Sequence, residues 1–336
     1  MDVLADILTA MRVGAPVAAY TEAHAPWGLR FDHATAAAFH VVLQGSCWLT
    51  PLPGGADFEP VALGPGDVVL LGRGATHAIV SAPEVPLADF SPSRTSQSAP
   101  FGRMVVPGQG ARSTIVCGAY RLQRHRPHPL LRDLPEVMHL SALPGWHRGL
   151  RAMVELLGDE LETQPPGAAA VTPSLVDALL VYMLRAWLAD TADADGWPAA
   201  LSDPVIARAL AAIHAEPARP WTVEQLAVTA RLSRAAFARR FSTVVGEPPL
   251  TYLTRWRMTT AARLLRETDK TLDQLAAATG YGSAFAFAKA FRREYARTPG
   301  DYRRASRTGA TTTPTPDPVA SGIHGGNTPS TSAHGR

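Results

Sequence analysis

Two segments between residues 221 and 302 repeat one design, and that repeat restricts the fold more than any other feature of the chain. Thr222 superimposes on Thr271, Gln225 on Gln274, Leu226 on Leu275 and Ala227 on Ala276. After a one-residue insertion in the turn, Ser233 falls on Ser283, Phe237 on Phe287 and Phe241 on Phe291. A Thr followed three positions later by Gln is a capping box, which satisfies the first orphan amides of a helix. Ser233 and Ser283 are placed to cap a second helix in each copy. Within that helix the two phenylalanines stand four apart, on one face. Each copy therefore reads as a helix-turn-helix.

The face opposite the phenylalanines carries small and basic residues. In the first copy these are Arg234, Ala235, Ala238 and Arg239; in the second, Ser283, Ala284, Phe285, Ala286 and Lys289. Arginine bonds O6 and N7 of guanine bidentately, and Ala or Phe packs on thymine methyls. On a plain helical bundle the same residues would be a solvated surface, but two copies basic at the same edge favour a DNA-reading face. Between the copies, residues 250–267 keep helical spacing through Leu253, Met258, Ala261, Ala262, Leu264 and Leu265. A helix of that length spans about 27 Å at roughly 1.5 Å per residue. It would hold two recognition helices near the roughly 34 Å that separates successive major grooves on one DNA face.

Charge follows the same division. Residues 204–307 hold 18 Lys+Arg against 8 Asp+Glu, although the whole chain carries a net charge of only +3. A basic C-terminal third beside an acidic remainder is the pattern of a nucleic-acid-binding module joined to a non-binding one. Arginine greatly outnumbers lysine, which codon bias also explains. The two cysteines, Cys47 and Cys117, are too far apart for a metal or redox motif, so a reduced, cytoplasmic setting is expected. Asp2 and Asp6 interrupt the apolar start, which reads as a short helix rather than a signal peptide. The most apolar segment, 175–188, contains Asp177 and Arg185 and is shorter than a membrane span requires, so no membrane partner is expected.

From about 16 to 120, short apolar runs (38–43, 47–49, 68–71, 78–80, 114–116) lie between Gly, Pro and Asp clusters. Such spacing predicts a small antiparallel barrel or sandwich. Gly64-Pro-Gly-Asp67 is a turn signal, Pro fixing one dihedral and Gly permitting the positive one. Two helices follow: an amphipathic one over 146–162, and one opened by Thr172-Pro173-Ser174. The body of the second is apolar nearly all round and needs cover on more than one side. Residues 190–203 read as a polar linker, and 306–336, with almost no large apolar residues, as a disordered tail.

Residues 204–304 resemble the AraC/XylS family of transcriptional regulators. The resemblance is carried in continuous order by Leu226-Ala227, Ser233, Phe237-Ala-Arg-Arg-Phe241, Gly246-Glu-Pro-Pro249, Tyr252, Arg257, Gly280-Tyr-Gly282, Phe287, Phe291-Arg-Arg293 and Thr298-Pro-Gly-Asp-Tyr302. It implies base contacts at Ala235, Ala238 and Arg239, then at Ala284, Phe285, Ala286 and Lys289. Arg240, Arg292, Arg293 and Arg303 are placed for phosphates. Several base-facing positions are alanine, so methyl packing and DNA shape are expected to contribute. The N-terminal half resembles the cupin-type sensory domains of one branch of that family, through Ala25-Pro-Trp-Gly28, the strand from His40 to Gly45, Cys117-Gly118 and His128-Pro-Leu-Leu131. Gly66, Gly74 and His77 match the second cupin motif, with Gly72 in place of its Pro. In the first motif the metal-binding Glu falls on Ala38 and one His on Phe31; only His33 stands at a ligand position. No metal or other cofactor is therefore expected. His33, His40, His77 and Cys117 are instead candidate walls of an effector pocket, and the three histidines are the candidate ligands were a metal to bind.

The implied fold is α+β: a cupin-like antiparallel barrel with helices, then an all-α domain of two helix-turn-helix motifs joined by a long helix. The implied organisation is a sensory domain (1–140), a helical dimerisation segment (141–190), a linker (191–203), a DNA-binding domain (204–305) and the tail. The implied protein is an effector-responsive homodimer on promoter DNA, an activator touching RNA polymerase, with repression as the alternative sign. The residues argue against two other functional classes. A metal-dependent cupin enzyme lacks its ligand set at Phe31 and Ala38. A DNA-repair fusion with a methyl-accepting cysteine cluster lacks the cluster.

Overall fold

The computed structural model describes residues 2–32, 37–72, 75–92, 101–123, 127–141, 147–191 and 196–309, the last two without their side chains. Helix α1 (Val3–Met11) opens the chain. The Asp2 carboxylate caps it, accepting from the amides of Leu4 and Ala5 at 3.0 and 3.2 Å. Strands β1 (Val17–His24), β2 (Gly28–Phe31), β3 (Ala37–Gln44), β4 (Cys47–Pro51), β5 (Val61–Leu63), β6 (Val68–Leu71), β7 (His77–Val80), β8 (Ala88–Asp89), β9 (Phe101–Val106) and β10 (Arg112–Tyr120) follow. After the short helix α2 (Pro129–Arg132) comes β11 (Met138–Leu140).

These strands form two facing sheets, ordered β11-β6-β3-β10-β1-β9 and β5-β4-β7-β2-β8. Pairing is antiparallel except at two edges, where β9 runs parallel to β1 and β8 parallel to β2. The all-antiparallel expectation is corrected there: the edge strands arrive by longer connections and not by hairpins. The predicted turn is present, with Gly66 at φ +86° and the Asp67 amide donating to Gly64 O at 3.1 Å. Trp27, Leu29, Val42, Leu49, Leu71 and Ile115 fill the space between the sheets. The other face of the six-stranded sheet packs Phe39, Val41, Val116 and Tyr120 against helices.

Those helices are α3 (Arg148–Thr163) and α4 (Ala168–Asp190). Helix α4 departs from expectation twice. It begins at Ala168, leaving Pro173 inside the helix and not in its first turn, and the Thr172 hydroxyl donates to Ala168 O at 2.8 Å. At 23 residues it is also long and apolar enough to cross a membrane, where the sequence suggested too short a segment. Three alanines, good helix formers, extend it upstream of the apolar run. Its buried residues Val176, Leu179, Leu180, Met183, Leu184 and Trp187 follow one i, i+3, i+4 stripe, so cover comes from one side.

The expected linker contains a helix, α5 (Trp197–Ser202). Gly196 and Pro198 read as punctuation, but Trp197, 1% exposed, is an anchor stacked edge-on against His128 with ring centres 4.5 Å apart. Then come α6 (Pro204–Ala215), α7 (Val223–Thr229), α8 (Arg234–Val245), α9 (Pro249–Glu267), α10 (Leu272–Ala278), α11 (Ala284–Tyr295) and α12 (Pro299–Gly309). The last corrects the start of the expected tail. Residues 306–309 stay helical, with the Ser306 hydroxyl donating to Tyr302 O at 2.8 Å and Arg307 paired with Asp269. The remainder of the tail lies outside the described residues.

One apolar core runs from α1 and the outer sheet face through α3, α4 and α5 into α6–α9. A second, around Phe287, Phe291, Tyr295 and Tyr302, belongs to the C-terminal half of the helical domain.

Candidate nucleic-acid interface

Both helix-turn-helix units are built by the predicted local chemistry. Thr222 Oγ1 accepts from the Gln225 amide at 3.2 Å while Gln225 Oε1 accepts from the Thr222 amide at 3.1 Å. The second capping box repeats this at 3.3 and 2.9 Å between Thr271 and Gln274. Ser233 and Ser283 accept from the amides of Ala236 and Ala286, opening α8 and α11. The turns share a further feature. Arg231 and Gly280, equivalent before the insertion, both take left-handed backbone, at φ +58° and +74°. Glycine carries no penalty there, and arginine does.

Phe237, Phe241, Phe287 and Phe291 are all fully buried, and anchoring each is worth about 1.5–3 kcal/mol. Their burial turns the opposite faces outward. Arg234, Ala235 and Arg239 on α8, and Phe285, Ala286 and Lys289 on α11, are exposed; Ala238 and Ala284 are half-buried; the cap Ser283 is exposed. Phe285, at 80% exposed, is the most exposed large apolar residue among those described.

The cations divide into committed and uncommitted. Arg234 Nε pairs with Glu224 at 2.6 Å, and Arg240 Nε with Asp203 at 2.7 Å. Arg303 donates to Lys270 O at 2.5 Å, tying α12 to the start of the second unit. Arg239, Lys289 and Arg292 are exposed and make no ion pair among the described residues, and Arg293 lies 3.6 Å from Glu294. The helix α9 between the units is 19 residues, about 28 Å long. It is held at its middle by Arg257, whose guanidinium donates to Pro217 O and Arg219 O at 2.6 and 2.8 Å.

In the barrel, His40 and His77 come together, with Nε2 atoms 2.7 Å apart. His77 Nδ1–H donates to Ala75 O at 2.6 Å, so its Nε2 accepts from His40 Nε2–H, and His40 Nδ1 is left without a partner. Both are 1% exposed, and Phe31 stacks on His77 at 5.0 Å. Burial, then His77, holds His40 well below the ordinary imidazole value. Cys117 is the register partner of His40 and shares its face. Burial pushes both thiols up, Cys47 to about 12. The cupin fold implies a metal, and these residues do not fit one: Phe31 and Ala38 carry no donors, and among the described residues no three His, Cys, Asp or Glu side chains converge. His33 lies outside the described residues.

A cluster missed by sequence reasoning joins the two halves of the molecule. The Leu130 amide donates to His128 Nδ1 at 3.2 Å, leaving the proton on Nε2, which donates to Tyr252 Oη at 3.2 Å. Tyr252 O–H donates to His214 Nε2 at 2.6 Å, and His214 Nδ1 lies 3.4 Å from Asp6 Oδ2. Nearby, Arg266 donates to Ala10 O and Tyr302 Oη, and Gln123 to Tyr302 Oη. No spacing signals contacts between residues more than a hundred positions apart.

Comparison with known proteins agrees with this architecture. A family described as Cupin matches residues 2–189, and one described as Helix-turn-helix domain matches 226–305. A protein of Streptomyces antibioticus described as an AraC-like transcription regulator is 35% identical, over 90% of this chain and 99% of its own. The transcriptional regulator AlkR of Acinetobacter baylyi is 31% identical, over 91% and 100%. The RCS-specific transcriptional activator RclR of Escherichia coli is 30% identical, over 80% and 84%. These relatives are regulators and not enzymes. Paired helix-turn-helices behind a cupin domain, matched nearly end to end by such relatives, make the chain a member of the AraC family of DNA-binding transcriptional regulators.

Proposed function

We propose that the protein is an effector-responsive activator that binds promoter DNA as a homodimer, with α8 and α11 of each chain in successive major grooves. The observation that carries this reading is the uncommitted, exposed Arg239 and Lys289 at matching edges of two helices separated by α9. Arg239 reads guanine; Ala235 and Ala238 pack on thymine methyls. On α11, Ala284, Phe285 and Ala286 read by packing, and Lys289 and the cap Ser283 by polar contact. Arg292 and Arg293 take phosphates. Arg234, Arg240 and Arg303 contribute only after leaving Glu224, Asp203 and the Lys270 carbonyl.

The sensory role falls to the N-terminal domain, where the His40–His77 pair and Cys117 form a polar spot between the sheets. Activation is supported by the relative named an activator; contact with RNA polymerase, in the cytoplasm, belongs to the same proposal. Dimerisation through the 141–190 segment is supported by Leu156 and Val171, exposed by 52% and 44% on α3 and α4. An operator selected from random DNA and footprinted with the full chain tests the DNA-reading geometry. Two protected major-groove patches about one helical turn apart per chain are expected; a single patch overturns it. Transcription in vitro from that operator tests the sign, and a fall on adding protein makes it a repressor.

A further inference from the structure

The outer face of the six-stranded sheet does not meet α3 along its whole length. Gly158 is the point of contact: a Cβ there would lie 3.0 Å from Leu43 Cδ2. Glycine is disfavoured in mid-helix relative to alanine, and here it lets α3 press closely onto β3. Beside that contact a cleft of about 670 Å³ opens between α3 and strands β1, β3 and β10. Its size falls within the range of small-molecule sites.

Three features of its lining are chemically distinct. Val42, Leu43, Pro65 and Val154 supply apolar walls. Tyr20 and Thr114, 1% and 2% exposed, are among its lining residues, and their buried hydroxyls have no hydrogen-bond partner among the described residues. A buried hydroxyl without a partner is unfavourable, and a polar ligand atom relieves it. On the α3 side stand Glu155, Asp159 and Glu162. Arg151, the only cation among the lining residues, is 3.0 Å from Glu155 and so neutralised. Arg112 approaches Glu162 only to 4.0 Å, and Asp159 has no ion-pair partner among the described residues.

We propose that this cleft, outside the barrel interior, is a binding site for an amphipathic organic cation. The apolar body lies between Leu43 and Val154, a polar atom reaches the Tyr20 and Thr114 hydroxyls, and an ammonium faces Asp159 and Glu162. As an effector site it rests on the sensory reading of the N-terminal domain; as a binding site it does not.

Calorimetry on the full chain with phenylbutylamine, phenylbutanol and phenylbutyrate keeps the body constant and changes the head charge. The amine should bind roughly tenfold more tightly than the alcohol, and the carboxylate most weakly. The paired exposed changes Asp159→Lys and Glu162→Lys should abolish that preference without unfolding the protein. Tyr20→Phe should weaken the amine while leaving the free protein at least as stable, because it removes an unpaired buried hydroxyl. Absence of amine binding, equal binding of all three probes, or binding indifferent to the Lys pair overturns the site. Operator affinity measured with and without the amine separates the two levels. Charge-selective binding with unchanged operator affinity upholds the site and overturns its effector role.

Discussion

At the scale of single residues, Arg239 and Gly280 carry the sharpest expectations. Arg239 is exposed, unpaired among the described residues and remote from the core, so Arg239→Ala should leave the melting temperature unchanged. Specific operator binding should weaken by about 1–3 kcal/mol, read as a fluorescence-anisotropy titration against operator and random DNA. Equal loss on both DNAs would mean a phosphate contact and no base reading. Gly280 is the reverse case. Its φ is +74°, and a Cβ there would lie 2.5 Å from the Ala218 carbonyl oxygen. Gly280→Ala should therefore destabilise by about 1–3 kcal/mol or more in urea denaturation. Much of this was legible in the sequence, because caps, turns and i, i+4 anchors act over a few residues. The commitment of Arg240 and Arg303 was not, since Asp203 and Lys270 lie 37 and 33 positions away.

Among elements, the C-terminal helices formed as their periodicity and caps required, whereas α4 and α5 did not follow their local signals. Proline at 173 and glycine–proline at 196 and 198 are breakers by propensity, and tertiary packing overrides propensity where an apolar stripe is available. For α5 that packing is Trp197, enclosed by His128 and Tyr252. Trp197→Ala should cost about 3–5 kcal/mol, enough to be plain in a thermal melt; a loss under about 1 kcal/mol would return the segment to a linker. On α3 and α4 the exposed Leu156 and Val171 bear on assembly. Replacing both with Glu should convert the proposed dimer to monomer in sedimentation equilibrium while the melt of the isolated chain is retained. A dimer that survives the pair places the contact elsewhere. The β-strands were legible where apolar runs were dense; β8 and β9, paired parallel at the edges, leave little pattern because one side faces water.

For the whole molecule the decisive feature is that the cupin and DNA-binding halves share buried ground. His128 from the first half and His214 from the second meet on Tyr252, and Asp6 of α1 flanks His214. Burial depresses His128, then the charges of His214, Arg255 and Arg132. Burial also depresses His214, with Asp6 opposing. His40 is depressed in the barrel by burial and His77. A histidine whose folded pKa lies below its unfolded value near 6.5 binds its proton more readily when unfolded. The stability it confers is complete above about pH 6.5 and is lost as pH falls towards the folded value, at up to about 1.4 kcal/mol per pH unit per group. Three such groups would remove up to about 4 kcal/mol between neutral pH and pH 5.5. The carboxylates Asp203, Asp269 and Asp301 are all lowered from their ordinary value and so titrate below this window. Urea midpoints at pH 7.5 and 5.5 should therefore differ clearly, with the lower one at pH 5.5. In Tyr252→Phe, which removes the hydroxyl common to both interface histidines, DNA binding at neutral pH should become less sensitive to what occupies the N-terminal domain. An unchanged urea midpoint across that range would mean that these histidines are not buried neutral, and that the two halves do not share the core described above.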